Sequence, residues 1–152
     1  MRISNYLKKE FCIMELKGTT KHDAIKEIAE LLKTSGQVKD AGRFVADILE
    51  RESLGSTGIG NKIAIPHSRT DAVDGFIIGF GRAPGGIEFK ALDGDTVNLI
   101  FLMGSNPGEL NLYLRLLAEL SRFLMENTFR KALVAATTPE EIIDIFKRFE
   151  GR

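Results

Sequence analysis

Cysteine is almost missing from this chain: among 152 residues there is one, Cys12. A single thiol cannot close an internal disulfide, so the fold must hold by packing alone, as suits a reducing compartment. Cys12 lies in FCIMEL, an apolar context in which a buried, inert thiol is expected. Long apolar runs are missing too. Nothing approaches the roughly 18 consecutive apolar residues of a membrane span, and MRISNYLKKEF contains no apolar h-region. These absences predict a cytoplasmic protein with no membrane insertion. Net charge is absent as well: Lys plus Arg number 21 and so do Asp plus Glu. Without a surplus of basic residues, a nucleic-acid partner is not expected. No internal repeat, linker or low-complexity tract interrupts the chain, so residues 1–152 are expected to form one domain with a sizeable core.

What is present alternates between helical and strand patterns. Residues 3–9 suggest a short helix and Phe11 to Leu16 a strand. Thr20, with Asp23 three residues on, marks a helix start; Ala24, Ile25, Ile28, Ala29, Leu31 and Leu32 recur at helical spacing before Gly36 ends the run. A second helix is expected over about 40–52, carrying Arg51 in its last turn. Phe76 to Phe80 between two glycines, Ile87 to Phe89, and Val97 to Met103 read as strands, the last apolar enough for burial on both faces. Asn106-Pro107-Gly108-Glu109 opens a helix whose Leu110, Leu114, Leu117, Leu120 and Leu124 form one stripe expected in the core. Thr138-Pro139-Glu140-Glu141 opens a terminal helix with Ile142, Ile145, Phe146 and Phe149 inward. The pattern is that of one α/β domain.

Chemistry concentrates between Arg51 and Arg69, in RESLGSTGIGNKIAIPHSR. Glycines at 55, 58 and 60 alternate with Ser56 and Thr57, lead into Ile63-Ala64-Ile65, and stop at Pro66-His67. Successive amides in a glycine-rich turn can cup an anion, hydroxyls add donors, and a guanidinium suits phosphate oxygens. A neutral imidazole is nucleophilic near pH 7, and Pro66 fixes the backbone before it. His67 is therefore the candidate phosphoryl acceptor and Arg51 its charge partner, with Ser56, Thr57, Gly58 and Ser68 as phosphate donors. The other histidine, His22, sits at the start of a helix and is expected in solvent.

Other chemistries fit poorly. GSTGIGNK lacks the Lys-Ser/Thr pair of a P-loop, and Ile63 stands where a dinucleotide fingerprint needs its third glycine. No cluster of ligands surrounds His67, so no metal is expected. A hydrolase built from Ser56 or Ser68 with Asp71 lacks the G-x-S-x-G elbow.

At these residues the sequence resembles the IIA domain of the fructose/mannitol class of the bacterial phosphoenolpyruvate-dependent phosphotransferase system, its nitrogen-regulatory branch above all. The resemblance is carried by Arg51-Glu52, Gly55-Ser56-Thr57-Gly58-Ile59-Gly60, Ile63-Ala64-Ile65-Pro66-His67, Gly86-Ile87-x-Phe89, Asp93-Gly94-x-x-Val97 and the leucine-rich helix after Pro107. It implies a single mixed β-sheet flanked by helices on both faces. It also implies a phosphocarrier rather than a turnover enzyme, with no cofactor, phosphorylated on His67 at Nε2 beside Arg51. The implied donor is a small histidine phosphocarrier protein (HPr-like or NPr-like). The acceptor is either a regulatory target protein, in nitrogen or metabolic control, or a separate sugar-specific IIB; a third possibility is a binding module that phosphorylation merely switches. Lack of a IIB or IIC region in this sequence weighs toward regulation. Two residues depart from the family pattern. Tyr113 stands where a second histidine is usual, offering a hydroxyl but no positive charge, and Ser68 stands where a small residue such as glycine is usual.

Overall fold

The computed structural model describes residues 2–152. In chain order its elements are β1 (Cys12–Ile13), α1 (Lys21–Leu32), α2 (Ala41–Ser53), β2 (Gly58–Gly60), β3 (Ile63–Ala64), β4 (His67–Arg69), β5 (Phe76–Ile87), β6 (Val97–Ser105), α3 (Leu110–Leu124), α4 (Asn127–Ala135) and α5 (Pro139–Glu150). The strands make one mixed sheet in the order β1-β5-β6-β3-β2, with β4 also on β6. The long β5–β6 pair is antiparallel, whereas β3 and β4 both run parallel to β6.

Alternation along β5 and β6 divides the core into two layers. Phe76, Ile78, Phe80, Leu99, Phe101 and Met103 face α3, α4 and α5; Ile77, Ile100 and Leu102 face α1 and α2. The sheet is thus covered on both faces, which is why Leu99 to Met103 reads as continuous apolar sequence. Thr20 and Thr138 cap as expected, accepting from the Asp23 and Glu141 amides, and Asp40 likewise caps α2 by accepting from the Arg43 amide.

Several boundaries differ from the sequence reading. Residues 3–9 give only the 3-10 turns Ile3–Asn5 and Lys9–Phe11, and only Cys12 and Ile13 of the expected 11–16 strand pair with a neighbour. Gly81 does not end β5. A Cβ at Gly79 or Gly81 would lie 2.8 Å from Ile28, so these glycines let α1 pack close on a strand that continues to Ile87. Ile87 belongs to that strand beyond a bulge, pairing with Val97, and no separate 87–89 strand forms. Helix α4 occupies an interval for which the sequence raised no expectation.

Arg82 holds this end of the molecule together. Its Nη1 donates to the carbonyls of Leu133, Val134 and Ala136 at 2.7–3.0 Å, and its Nε to Met14 at 3.0 Å. A cation here satisfies the open carbonyls at the end of α4 and meets the negative end of its dipole.

Candidate functional site

The glycine-rich stretch folds as a β-hairpin. Gly60 pairs with Ile63 across a two-residue turn, Asn61-Lys62, both with left-handed φ of 55° and 64°. That is the turn geometry that matches strand twist. Before it, the hydroxyls of Ser56 and Thr57 and the amides of Thr57 and Gly58 are engaged within the protein. The Ser56 hydroxyl donates to the Phe89 carbonyl at 2.6 Å and accepts from the Gly58 amide at 3.0 Å. The Thr57 amide donates to the Glu52 carboxylate at 3.1 Å, and so does the Thr57 hydroxyl. The groups that the sequence offers to a phosphate at Ser56, Thr57 and Gly58 are thus turned to internal partners here, as the burial of Thr57 and Gly58 requires.

The hairpin instead delivers His67. Pro66 accepts from the Met103 amide at 2.9 Å, and β4 then runs along the end of β6, with His67 opposite Met103 and Arg69 opposite Ser105. The ring is half-buried, with Nδ1 2.7 Å from the Ile65 carbonyl oxygen. A carbonyl only accepts, so Nδ1 carries the proton and Nε2, on the far side of the ring, keeps its lone pair. Burial pushes the pKa of His67 below the ordinary histidine value; Arg51 pushes the same way, while the Ile65 carbonyl and the Glu52 charge oppose. The ring is thereby held neutral at physiological pH.

His67 opens into a cleft of about 470 Å³ whose polar lining is Arg51, Ser68, Arg69 and Tyr113. Four sequence-predicted residues, His67, Arg51, Ser68 and Tyr113, thus share one cavity, and Ser56, Thr57 and Gly58 do not line it. Arg51 comes from the last turn of α2 and spends one donor on the Gly55 carbonyl, at 2.9 Å. Tyr113 comes from α3; its ring centroid is 5.8 Å from that of His67, at 51°. Burial pushes its hydroxyl up to about 12, against the opposing pull of Arg69 and Arg51, so it remains an O–H donor throughout the physiological range. Arg69 is the residue that the sequence reading missed. The signal was available: two residues past His67 on a strand, it returns to the same side.

The apolar wall is Leu110, Leu114 and Leu117. Here the expected core stripe of α3 is corrected. The buried residues are Tyr113, Leu116, Leu120, Phe123 and Leu124, while Leu110 and Leu114 are 40% and 52% exposed. LNLYLRLLAEL is leucine-rich on two neighbouring faces, so spacing fits either stripe, and only the position of the sheet chooses between them. Far from the cleft, Cys12 is buried and burial pushes its thiol up to about 12, the inert state expected. His22 is exposed, also as expected. Among the described residues no cluster of His, Cys, Asp and Glu is placed to hold a metal ion, and no helix is long and apolar enough to cross a membrane.

The family model described as "Phosphoenolpyruvate-dependent sugar phosphotransferase system, EIIA 2" matches residues 5–149. The chain belongs to this EIIA family. It is 35% identical over 150 residues to the fructose-specific EIIABC component of Bacillus subtilis; these are 99% of this chain but only 24% of that protein's length. The EIIA fold matches the crystal structure of the nitrogen regulatory protein IIA-Ntr from Neisseria meningitidis with a TM-score of 0.88 at 26% identity, over 95% of this chain and 98% of that one. It also matches the complex of enzyme IIAMTL and phosphorylated enzyme IIBMTL from Escherichia coli, with a TM-score of 0.79 at 25% identity, over 96% and 99%. The mixed α/β domain expected from the sequence is thus that of the EIIA family, whose members here include nitrogen-regulatory and sugar-specific proteins.

Proposed function

We propose that this EIIA domain is a cytoplasmic phosphocarrier that takes a phosphoryl group on Nε2 of His67 and passes it to a second protein. The observation that carries the reading is the 2.7 Å contact of Nδ1 with the Ile65 carbonyl, which leaves Nε2 as the nucleophile in a cleft walled by two arginines. Transfer is in line from the phosphohistidine of an HPr-like or NPr-like donor. The donor's N–P bond breaks as the bond to Nε2 forms, the donor ring leaves with its electron pair, and the proton stays on Nδ1, hydrogen-bonded to the Ile65 carbonyl. No proton has to move. What the step requires is positioning and charge stabilisation. Arg51 and Arg69 supply the charge; Tyr113 supplies a hydroxyl where the family usually has a second imidazole, and Ser68 supplies another. The half-exposed Leu110 and Leu114 give the donor a surface from which water can be excluded.

For the acceptor, the reading we favour is a regulatory target, supported by the match to a nitrogen regulatory protein across nearly the whole of both chains. The second reading, delivery to a separate sugar-specific IIB, is supported by the fructose-specific relative and by the mannitol complex. The test supplies phosphoenolpyruvate and the upstream carriers and assays acid-labile, alkali-stable phosphate. The parent labels and His67→Ala does not; equal labelling of the two overturns the site. Chasing the labelled protein with a fructose- or mannitol-type IIB then separates the acceptors, since rapid loss of label favours uptake over regulation.

A further inference from the structure

Beneath the loop that precedes the hairpin lies a buried carboxylate that the transfer step does not use. Glu52 is 7% exposed, yet it sits one residue after the cleft arginine. Its oxygens accept from the Thr57 amide at 3.1 and 3.3 Å and from the Thr57 hydroxyl, and Oε2 accepts from Lys21 Nζ at 2.8 Å. Lys21 in turn lies over the Phe89 ring, 5.1 Å from its centroid, and the Phe89 carbonyl is where Ser56 is tied. Burying a charge costs several kcal/mol before any partner is counted. Replacing such a buried pair by well-packed apolar residues is often neutral or stabilising. Stability alone therefore does not account for the carboxylate, and the geometry of the turn offers it a role. The Gly55 peptide joins the two halves: its amide donates to the Glu52 carbonyl at 3.1 Å, and its carbonyl receives Arg51 Nη1 at 2.9 Å. The Arg51 guanidinium is thereby tied to the position of the Gly55 peptide.

We infer that Glu52, locked to Thr57 and Lys21, is a positioning residue for Arg51: it fixes the turn whose Gly55 carbonyl holds the guanidinium at the His67 cleft. The inference rests on His67 being the phosphoryl acceptor. Adjacent residues on one helix turn thereby divide the work, Arg51 toward the cleft and Glu52 toward the interior. The interior contact makes the exposed one rigid. A cleft arginine held loosely would meet the phosphoryl group in the right place only part of the time, and misplacement by about 1 Å can cost on the order of 10²-fold in rate.

The experiment uses phosphoramidate as the phosphoryl donor, so that docking of a protein donor plays no part. Labelling rates are measured at about pH 8, well above the ordinary histidine value of about 6.5, so that the effect of the Glu52 charge on the ring's protonation plays no part. The proteins are the parent, Glu52→Gln, Thr57→Val, Thr57→Ser, Arg51→Ala, His67→Ala and the double variant Glu52→Gln/Arg51→Ala, with thermal melts confirming that each is folded. Glu52→Gln and Thr57→Val are expected to label about tenfold more slowly, with Thr57→Ser restoring the rate. The double variant is expected to label no more slowly than Arg51→Ala alone, because Glu52 acts through that arginine. A parent-like rate in folded Glu52→Gln overturns the inference. So does a double variant whose loss is the product of the two single losses, the result for a role unconnected with Arg51. Equal labelling of His67→Ala and the parent overturns instead the site on which the inference rests, so the two failures are told apart.

Discussion

Removing the Arg51 side chain gives the most direct measure of what the cleft does. Two guanidiniums line it, so Arg51→Ala removes half of its fixed positive charge and leaves Arg69 behind. Deleting one preorganised donor to a developing charge costs about 2.7–4 kcal/mol, or roughly 10²–10³ in rate. Arg69 stays near the phosphoryl oxygens, so the loss belongs at the lower end, about 10². A second effect must be kept apart from this one. Arg51 helps to lower the pKa of His67, so its removal raises that pKa and lets more of the ring protonate in mild acid. Single-turnover labelling should therefore be compared at about pH 8, well above the ordinary histidine value of about 6.5, where the ring is neutral in both proteins. There the roughly 100-fold loss is transition-state stabilisation alone; at lower pH the gap widens. A folded Arg51→Ala protein that labels within about threefold of the parent at pH 8 would refute the claim that this guanidinium stabilises the transferred group, whose expected contribution is far larger.

Other outcomes follow from the same geometry. Labelling of the parent should be independent of pH above about 6.5 and fall only on further acidification, because the folded pKa of His67 lies below the ordinary value; a decline that begins above 7 would contradict a buried, neutral ring. The same depression means that the stability it contributes is present above the unfolded pKa and lost as pH falls through the folded one, so His67→Gln should flatten the acid limb of a denaturation profile. Leu114 is 52% exposed, so its docking buries at most about half a leucine, roughly 1 kcal/mol; Leu114→Asp should weaken donor binding about fivefold, read by titration with the phosphocarrier. Arg82→Ala leaves the carbonyls of Leu133, Val134 and Ala136 without their cation and should cost about 2–4 kcal/mol in urea melts. A Cβ at Gly104 would lie 2.7 Å from the buried Phe44 ring, so Gly104→Ala should destabilise by about 1–3 kcal/mol.

The sequence by itself determined the starts of α1 and α5, because a cap is a local contact: Thr20 and Thr138 each reach an amide only three residues away. It determined the central strand as well, since burial on both faces writes an unbroken apolar run from Leu99 to Met103. His67 and Arg51 were legible because a strand end and a helix end each deliver one side chain to a predictable place. The tertiary structure decided what the loop residues do. Whether a hydroxyl or amide is free depends on what lies opposite, and the partners of Ser56 and Thr57 are a carbonyl 33 residues away and a carboxylate turned inward. It also chose which leucine face of α3 became cleft, and it made Gly79 and Gly81 a seat for α1. Patterns of local contact can be read along a chain; which donors stay free and which apolar side stays uncovered depends on neighbours that only folding supplies.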